Sequence, residues 1–337
     1  MTLTSLGADI EQAVRTGGPE TGTRVIRLTS GDLQADLLPD RGLDVGQVRV
    51  AGIPFAYLSG VGFPRWSNES EDAFARSFGG GLLVTCGLRN FGPASEGQPM
   101  HGRIGSLPAR VTRVEAGDRG ALVEGVVRET GLFDEPLELR RRVESPAPQR
   151  MLRITDTITN LGSSPTELMT LYHVNFGAPL VGEGTTLRTS ALDVQPRDDD
   201  ARAGFDSWHS FPTPSRGFRE QVFVHTLPRD RLVEATVTAR SGLQAVLRWN
   251  SAELPGLIQW RIADPARSVL GVEPCDTPTI LGRADARTRD LLRWIAPGDS
   301  VTRTLEIGFS LPPDCAHCSE PRPNGNPGGK TPPAFGD

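Results

Sequence analysis

The sequence predicts an all-β fold of large antiparallel sheets with few short helices. Three observations lead there. Gly (38) and Pro (28) punctuate the 337 residues throughout, stretches with a 3.6-residue apolar period are scarce, and short runs alternate apolar and polar residues between turn signals. The length suffices for a substantial core, in one large domain or two ordinary ones. No fixed-period repeat and no shift in composition divides residues 21–311, so a single β-sandwich domain is expected there. An N-terminal segment, 1–20, precedes it. Residues 312–337 hold Pro, Gly and charge with little to bury, which predicts a disordered tail.

The elements follow in order. Residues Ile10 to Val14 read as a helical turn. Thr23 to Leu28 and Leu33 to Leu38 flank Thr-Ser-Gly-Asp as a hairpin, and Asp44 to Val50 turns at Ala51-Gly52 into Ile53 to Leu58. Ser70 to Phe78 predicts a short helix, with Ser67, Asn68 or Ser70 as cap, Phe74 and Phe78 spaced i,i+4, and Gly79 to Gly81 as the stop. Val111 to Val114, Ala121 to Glu129 and Leu137 to Val143 read as successive strands. Leu152, Ile154 and Ile158 alternate along another, which turns at Asn160 to Pro165 into the strand carrying His173, and the two are expected to be antiparallel neighbours. Arg197 to Arg202 reads as a solvated loop, and Phe205 to Phe218 as a long surface excursion able to act as a lid. Val233 to Ala239 and Leu243 to Trp249 form a hairpin about Ser241-Gly242. Leu257 to Ile262, Ser268 to Val272 and Ser300 to Phe309 complete the strands.

Composition excludes several classes of function. Thirty-six basic against 41 acidic residues leave a formal charge of −5, contrary to the concentrated basic field that nucleic-acid binding needs. No apolar run approaches the roughly 20 residues of a spanning helix, and the first residues lack a signal peptide's basic and apolar regions, so no membrane partner and a cytoplasmic location are expected. Cys86 and Cys275 stand alone, and Cys315-Ala-His-Cys318 in the tail lacks the four ligands of a structural zinc site. No metal site is expected.

The working centre is placed at Leu168 to Pro179. His173 and Asn175 interrupt an apolar run two positions apart, which on a pleated strand sends both to one face, and Gly177 and Pro179 then end the strand. A histidine hydrogen-bonded inside a sandwich is the plain alternative. Two further stretches carry polar groups that are costly unless used. Pro99-Met-His101-Gly102-Arg103 sets an imidazole and a guanidinium beside a glycine that permits close backbone approach. Leu270-Gly-Val-Glu273-Pro ends an apolar strand on a carboxylate, whose desolvation calls for a partner or a role. The glycine-rich run before Arg89-Asn90 lacks a P-loop lysine and the dinucleotide spacing, and neither a Gly-x-Ser-x-Gly elbow nor a His-Glu-x-x-His helix occurs. Two histidines and a carboxylate remain, sufficient for general acid and base work on a polyol with neither metal nor cofactor.

Four short motifs in order resemble those of the aldose 1-epimerase (galactose mutarotase-like) family: Met100-His101-Gly102, His173-x-Asn175-Phe176, Val272-Glu273-Pro274 and Ile295-Ala-Pro-Gly298. The Arg41-Gly-Leu-Asp44 turn and the Cys86 to Phe91 run depart from the usual wording, so the chain looks like a divergent branch. The resemblance implies a β-supersandwich and interconversion of sugar anomers by ring opening. Glu273 would take the proton of the anomeric hydroxyl, His173 would protonate the ring oxygen, and His101 would stabilise charge there. Arg89, Asn90, Arg103, Arg41 and Asn175 are substrate-binding candidates, the arginines for a small sugar that carries an acidic group. Trp260 and Trp208 are candidate stacking platforms. A keto-sugar epimerase or isomerase, and a carbohydrate-binding protein without turnover, remain as alternatives. The oligomeric state is open.

Overall fold

The computed structural model describes residues 7–64 and 73–312. The chain supplies β1 (Asp9–Val14), β2 (Arg24–Ser30), β3 (Leu33–Leu38), β4 (Asp44–Val50), β5 (Ile53–Pro54), helix α1 (Ala73–Ser77), β6 (Leu83–Leu88), β7 (Arg110–Gly117), β8 (Gly120–Glu129), β9 (Leu137–Pro146), β10 (Met151–Asn160) and β11 (Thr166–Phe176). It continues with β12 (Thr186–Thr189), β13 (Asp193–Pro196), α2 (Asp199–Arg202), β14 (Gln221–Thr226), β15 (Leu232–Thr238), β16 (Gln244–Asn250), β17 (Gly256–Asp264), β18 (Arg267–Cys275), α3 (Arg283–Thr288), β19 (Arg293–Ile295) and β20 (Ser300–Ser310). The predicted all-β class, with few short helices, is the class observed.

Among the described residues these strands form two sheets. A 12-stranded sheet runs β1-β2-β3-β4-β6-β11-β18-β17-β14-β13, with β5 on β4 and β19 on β11, and an 8-stranded sheet runs β12-β15-β16-β20-β10-β9-β8-β7. Every named pair is antiparallel, and one apolar core drawn from both sheets lies between them. The expected hairpins β2–β3 and β15–β16 are present, and the successive strands β7, β8 and β9 pair in order, β7 and β8 through a short turn and β8 and β9 through residues 130–136.

Several expectations are corrected. Residues Ile10 to Val14 form no helical turn. They lie in β1, whose backbone pairs with β2 in the register Gln12↔Ile26, and an edge strand satisfies those groups where an exposed, uncapped turn would not. The helix at Ser70 to Phe78 is observed over Ala73–Ser77, and the cap candidates Ser67, Asn68 and Ser70 fall outside the described residues. The loop expected at Arg197 to Arg202 contains α2, because the Asp198 carboxylate accepts from the Ala201 amide at 2.9 Å and caps it. The proposed tail from residue 313 on, including Cys315 and Cys318, falls outside the described residues.

The largest correction concerns β10 and β11, which are not neighbours. β10 pairs with β9 and β20 in the small sheet, whereas β11 pairs with β6, β18 and β19 in the large one. The corner between them is held by Asn160, whose amide donates to Ser164 O at 2.8 Å and Ile295 O at 3.0 Å while its Oδ1 accepts from the Gly162 amide. A turn that reads as a hairpin therefore carries the chain from one layer to the other.

All 11 residues of β11 are buried, which explains why apolar residues occur on both of its faces instead of alternating with exposed polar ones. Leu168, Tyr172, Val174 and Phe176 face the inter-sheet core, and Met169 and Leu171 join a second apolar cluster on the outer face. An ionic network ties the layers on the inner side. Arg141 of β9 is fully buried and donates to both Asp156 oxygens, at 2.9 and 2.6 Å, to Asp44 Oδ1 at 2.5 Å and to Thr85 Oγ1 at 2.7 Å. The Tyr172 hydroxyl donates to Asp156 Oδ2 at 2.9 Å. Arg141 and Asp156 belong to the small sheet; Asp44, Thr85 and Tyr172 belong to the large one. Burial disfavours the guanidinium charge, but Asp156 and Asp44 outweigh that cost and raise the pKa above the usual arginine value.

Removing one member of such a network strands the others in low dielectric. Arg141→Met is expected to lower stability by about 3–5 kcal/mol, read as a lower urea midpoint at unchanged m-value. A change within about 0.5 kcal/mol, typical of surface substitutions, would contradict the role.

Candidate active site

The outer face of the large sheet carries a cavity of about 880 Å³. Strand alternation supplies its floor: His173 from β11, Val269 and Glu273 from β18, Ile258, Trp260 and Ile262 from β17, and Val222 from β14. Phe74 and Phe78, around the end of α1, and His101, from the loop between β6 and β7, face the same space.

His173 Nε2 lies 3.3 Å from Glu273 Oε1, and their side chains are 6% and 2% exposed. Burial holds the Glu273 carboxyl well above the usual carboxylate range, and the Glu220 charge adds to the effect. Burial lowers His173 to about 3, with His101 adding and Asn175 opposing. The contact falls within ion-pair distance, but desolvation of both groups favours their uncharged forms over a charged pair. Glu273 Oε1, His173 Nδ1 and His101 Nδ1 are buried without a hydrogen-bond partner among the described residues. Trp260, Phe78 and His101 surround the His173 ring at centroid distances of 5.3, 5.6 and 5.8 Å.

His101 is held by its backbone. Its φ of 58° lies in the left-handed region, which is costly for a residue with a side chain. Two hydrogen bonds fix it there, its amide to Gly92 O and its carbonyl from the Gly87 amide, each at 3.0 Å. Gly102 follows at φ 72°, where a Cβ would meet Gly87 O at 2.2 Å, so the close approach predicted at this glycine is real. Burial lowers the His101 pKa to about 4, against an opposing pull from Glu220.

The substrate-binding candidates divide. Trp260 lines the cavity, its indole donating to Glu220 Oε2 at 3.0 Å, and Arg197 Nη2 donates to Glu220 Oε1 at 2.9 Å. The other candidates do not line it. Arg89 is buried against Thr166 Oγ1 at 3.0 Å and the Glu135 carbonyl, and Arg103 lends its charge to buried Glu129. Asn90 donates to the carbonyls of Pro93 and Pro99, each at 2.9 Å. Arg41 donates to Ser77 O at 3.1 Å and Pro64 O at 2.7 Å. Asn175 donates to Gly81 O at 3.1 Å and His173 O at 2.8 Å. Trp208 packs on His225 at 5.1 Å. These groups satisfy buried loops and strand ends, which a polar residue in an apolar stretch does as readily as it binds ligand.

The excursion at Phe205 to Phe218 forms no lid over this cavity. Arg261 of β17 fastens it, donating to Ser207 O at 3.0 Å, Ser210 O at 2.7 Å and Gly204 O at 3.1 Å, and none of its residues lines the cavity. Sequence reasoning missed Tyr57, Arg197, Glu220 and Arg267 at this site. It also missed Gly271, where a Cβ would stand 2.4 Å from Glu273 Oε1, so that only a bare backbone leaves the carboxyl in place. Gly271 sits two residues before Glu273 on the same face, the one local signal that was available. Among the described residues no group of three or more His, Cys, Asp or Glu side chains is placed to hold a metal ion, and no helix is long and apolar enough to cross a membrane.

Comparison with solved structures places the architecture. A candidate aldose 1-epimerase from Klebsiella pneumoniae superposes with a TM-score of 0.83 at 23% identity, over 90% of this chain and 84% of that one. A galactose mutarotase-like protein from Clostridium acetobutylicum gives 0.65 at 16% identity, over 90% and 99%. Galactose 1-epimerase from Lactobacillus acidophilus gives 0.61 at 13% identity, over 90% and 98%. Comparison with curated protein sequences gives no match. These likenesses establish the galactose mutarotase-like fold that the four motifs pointed to. Residues 20–309 match the family model described as "Domain of unknown function (DUF4432)", and the chain belongs to that family.

Proposed function

We propose that the protein interconverts the anomers of a cyclic sugar by opening and reclosing its hemiacetal ring, with Glu273 and His173 as the proton-transfer pair. The observation that carries this reading is the 3.3 Å approach of two buried, oppositely shifted groups at the floor of an accessible cavity. The pair holds one proton, and the electrostatics favour it on Glu273. Ring opening then begins with Glu273 as acid toward the ring oxygen and His173 as base toward the anomeric hydroxyl, the reverse of the assignment drawn from the sequence. The C1–O5 bond breaks, O5 gains the Glu273 proton, and O1 becomes the carbonyl as its proton passes to His173. After rotation about the C1–C2 bond, the reverse transfers close the other anomer and restore the starting protonation. His101 donates toward the oxygen that develops charge. Protein similar in fold and bearing the name galactose 1-epimerase supports the sugar class.

Anomer exchange followed by saturation-transfer NMR across a sugar panel tests the reading. Wild type is expected to accelerate exchange for at least one sugar, and Glu273→Gln and His173→Ala each to lower the rate about 10²- to 10⁴-fold. Unaccelerated exchange across the panel would contradict it. Deuterium uptake at carbon from heavy water would instead indicate keto-sugar chemistry.

The pH profile carries the second prediction. His173 acts as base in its neutral form, and with a pKa of about 3 it stays neutral well below the ordinary histidine value. Activity should therefore hold from pH 7 to pH 5 and fall on the alkaline side as Glu273 loses its proton. An acid limb centred near pH 6.5 would contradict this state. Gly271→Ala should displace the Glu273 carboxyl and lower kcat by at least about tenfold, with an overpacking cost of about 1–3 kcal/mol in stability, read as a lower urea midpoint. Unchanged kcat would remove Gly271 from the account.

A further inference from the structure

The floor of the cavity offers a sugar little to bond. Val222, Ile258, Ile262, Val269, Met100 and Ile280 present apolar surface to it. The polar groups that line it outside the histidines and Glu273 are largely engaged elsewhere. The Ser59 hydroxyl donates to Phe78 O at 2.6 Å and accepts from the Val61 amide at 3.1 Å. Glu220 accepts from Trp260 and Arg197, and Arg197 Nε is bound to Asp198 at 2.7 Å. Exposed Arg267 and half-buried Tyr57 complete the polar lining, and Arg267 stands at the start of β18, away from its Glu273 end.

Physical consequences follow for the ligand. Each hydroxyl moved from water against Val222, Ile258 or Ile262 loses its hydrogen bonds and gains none, whereas a C–H or methyl group there gains contact. A fully hydroxylated hexose seated with its anomeric centre between Glu273 and His173 would strand several hydroxyls on that wall. The cavity's volume lies toward the upper end of small-molecule pockets, about 300–1,000 Å³, so an apolar substituent has room.

We propose that the site selects a cyclic hemiacetal with a hydroxyl-poor face, a deoxy or alkyl-substituted sugar in preference to a fully hydroxylated hexose. The proposal rests on the anomer-exchanging reading of the site and names its substrate class. Recognition comes from the apolar wall on one side and the proton-transfer pair on the other, with the indole of Trp260, oriented by Glu220, as the flat surface between them.

Matched pairs test it: D-galactose with 6-deoxy-D-galactose, D-glucose with 2-deoxy-D-glucose, and D-glucose with 3-O-methyl-D-glucose, each as kcat/KM for anomer exchange above the spontaneous rate. The hydroxyl-poor member of at least one pair is expected to be preferred by about tenfold or more, and the deoxy and methyl pairs separate the two kinds of substituent. Equal rates, or preference for the parent hexose in every pair, would overturn the proposal while leaving the anomer-exchange reading intact. If no sugar is accelerated, that reading fails, and titration of tryptophan fluorescence with the same pairs decides the wall alone: tighter binding of a hydroxyl-poor member supports it, and equal or weaker binding overturns it. Val222→Thr adds a hydroxyl at little change in volume, and Ile262→Thr adds one with the loss of a single methyl-sized group. Each is expected to narrow the measured preference, and an unchanged ratio in both would overturn the assignment of the wall.

Discussion

Tyr172 and His173 are consecutive on one strand and face opposite sides of one sheet, and the molecule depends on that alternation. On the inner side the Tyr172 hydroxyl joins the Arg141–Asp156–Asp44 network that pins the two layers together. On the outer side His173 meets Glu273 at the floor of the cavity. A strand buried on both faces cannot shift register without moving a tyrosine out of an ionic network and a histidine away from its carboxyl partner. The rigidity of the inner network is thus passed to the outer pair through a single backbone.

The two faces handle charge in opposite ways. Inside, the Arg141 guanidinium is matched by two carboxylates with short bonds and keeps its charge despite burial. Outside, Glu273 and His173 have no such surplus of partners, and desolvation drives both toward their neutral forms. A pair biased toward its neutral forms suits the proposed ring opening, which would consume an acid and a base together and regenerate them on closure. Of the arginines that looked fit to grip an anion, Arg41 and Arg89 are bound to backbone carbonyls, and none of Arg41, Arg89 and Arg103 lines the cavity, which weakens the sequence argument for an acidic sugar.

Much of the fold was legible because period-2 alternation and Gly or Pro turns are local signals. The hairpins β2–β3 and β15–β16 appear where those signals put them. What failed was whatever depends on the third dimension: Asn160 to Pro165 reads as a hairpin turn, and only its bonds to Ile295 show that it crosses between layers. The site divides in the same way. His173, Glu273 and His101 stood out as costly polar residues in apolar or glycine-rich surroundings, yet Arg89, Asn90 and Asn175 stood out for the same reason and lie outside the cavity lining, bonded to nearby loops and strands. Glu220, Arg197 and Tyr57 lie in polar or unremarked stretches, and their place at the cavity follows from sheet order alone.

The most direct measurement is a crystal structure of the protein soaked with a sugar it binds. The account predicts the ring within the outer-face cavity, with its anomeric and ring oxygens each within hydrogen-bond distance of Glu273 or His173. A sugar bound elsewhere, or seated in the cavity with its anomeric centre turned away from both residues, would contradict it.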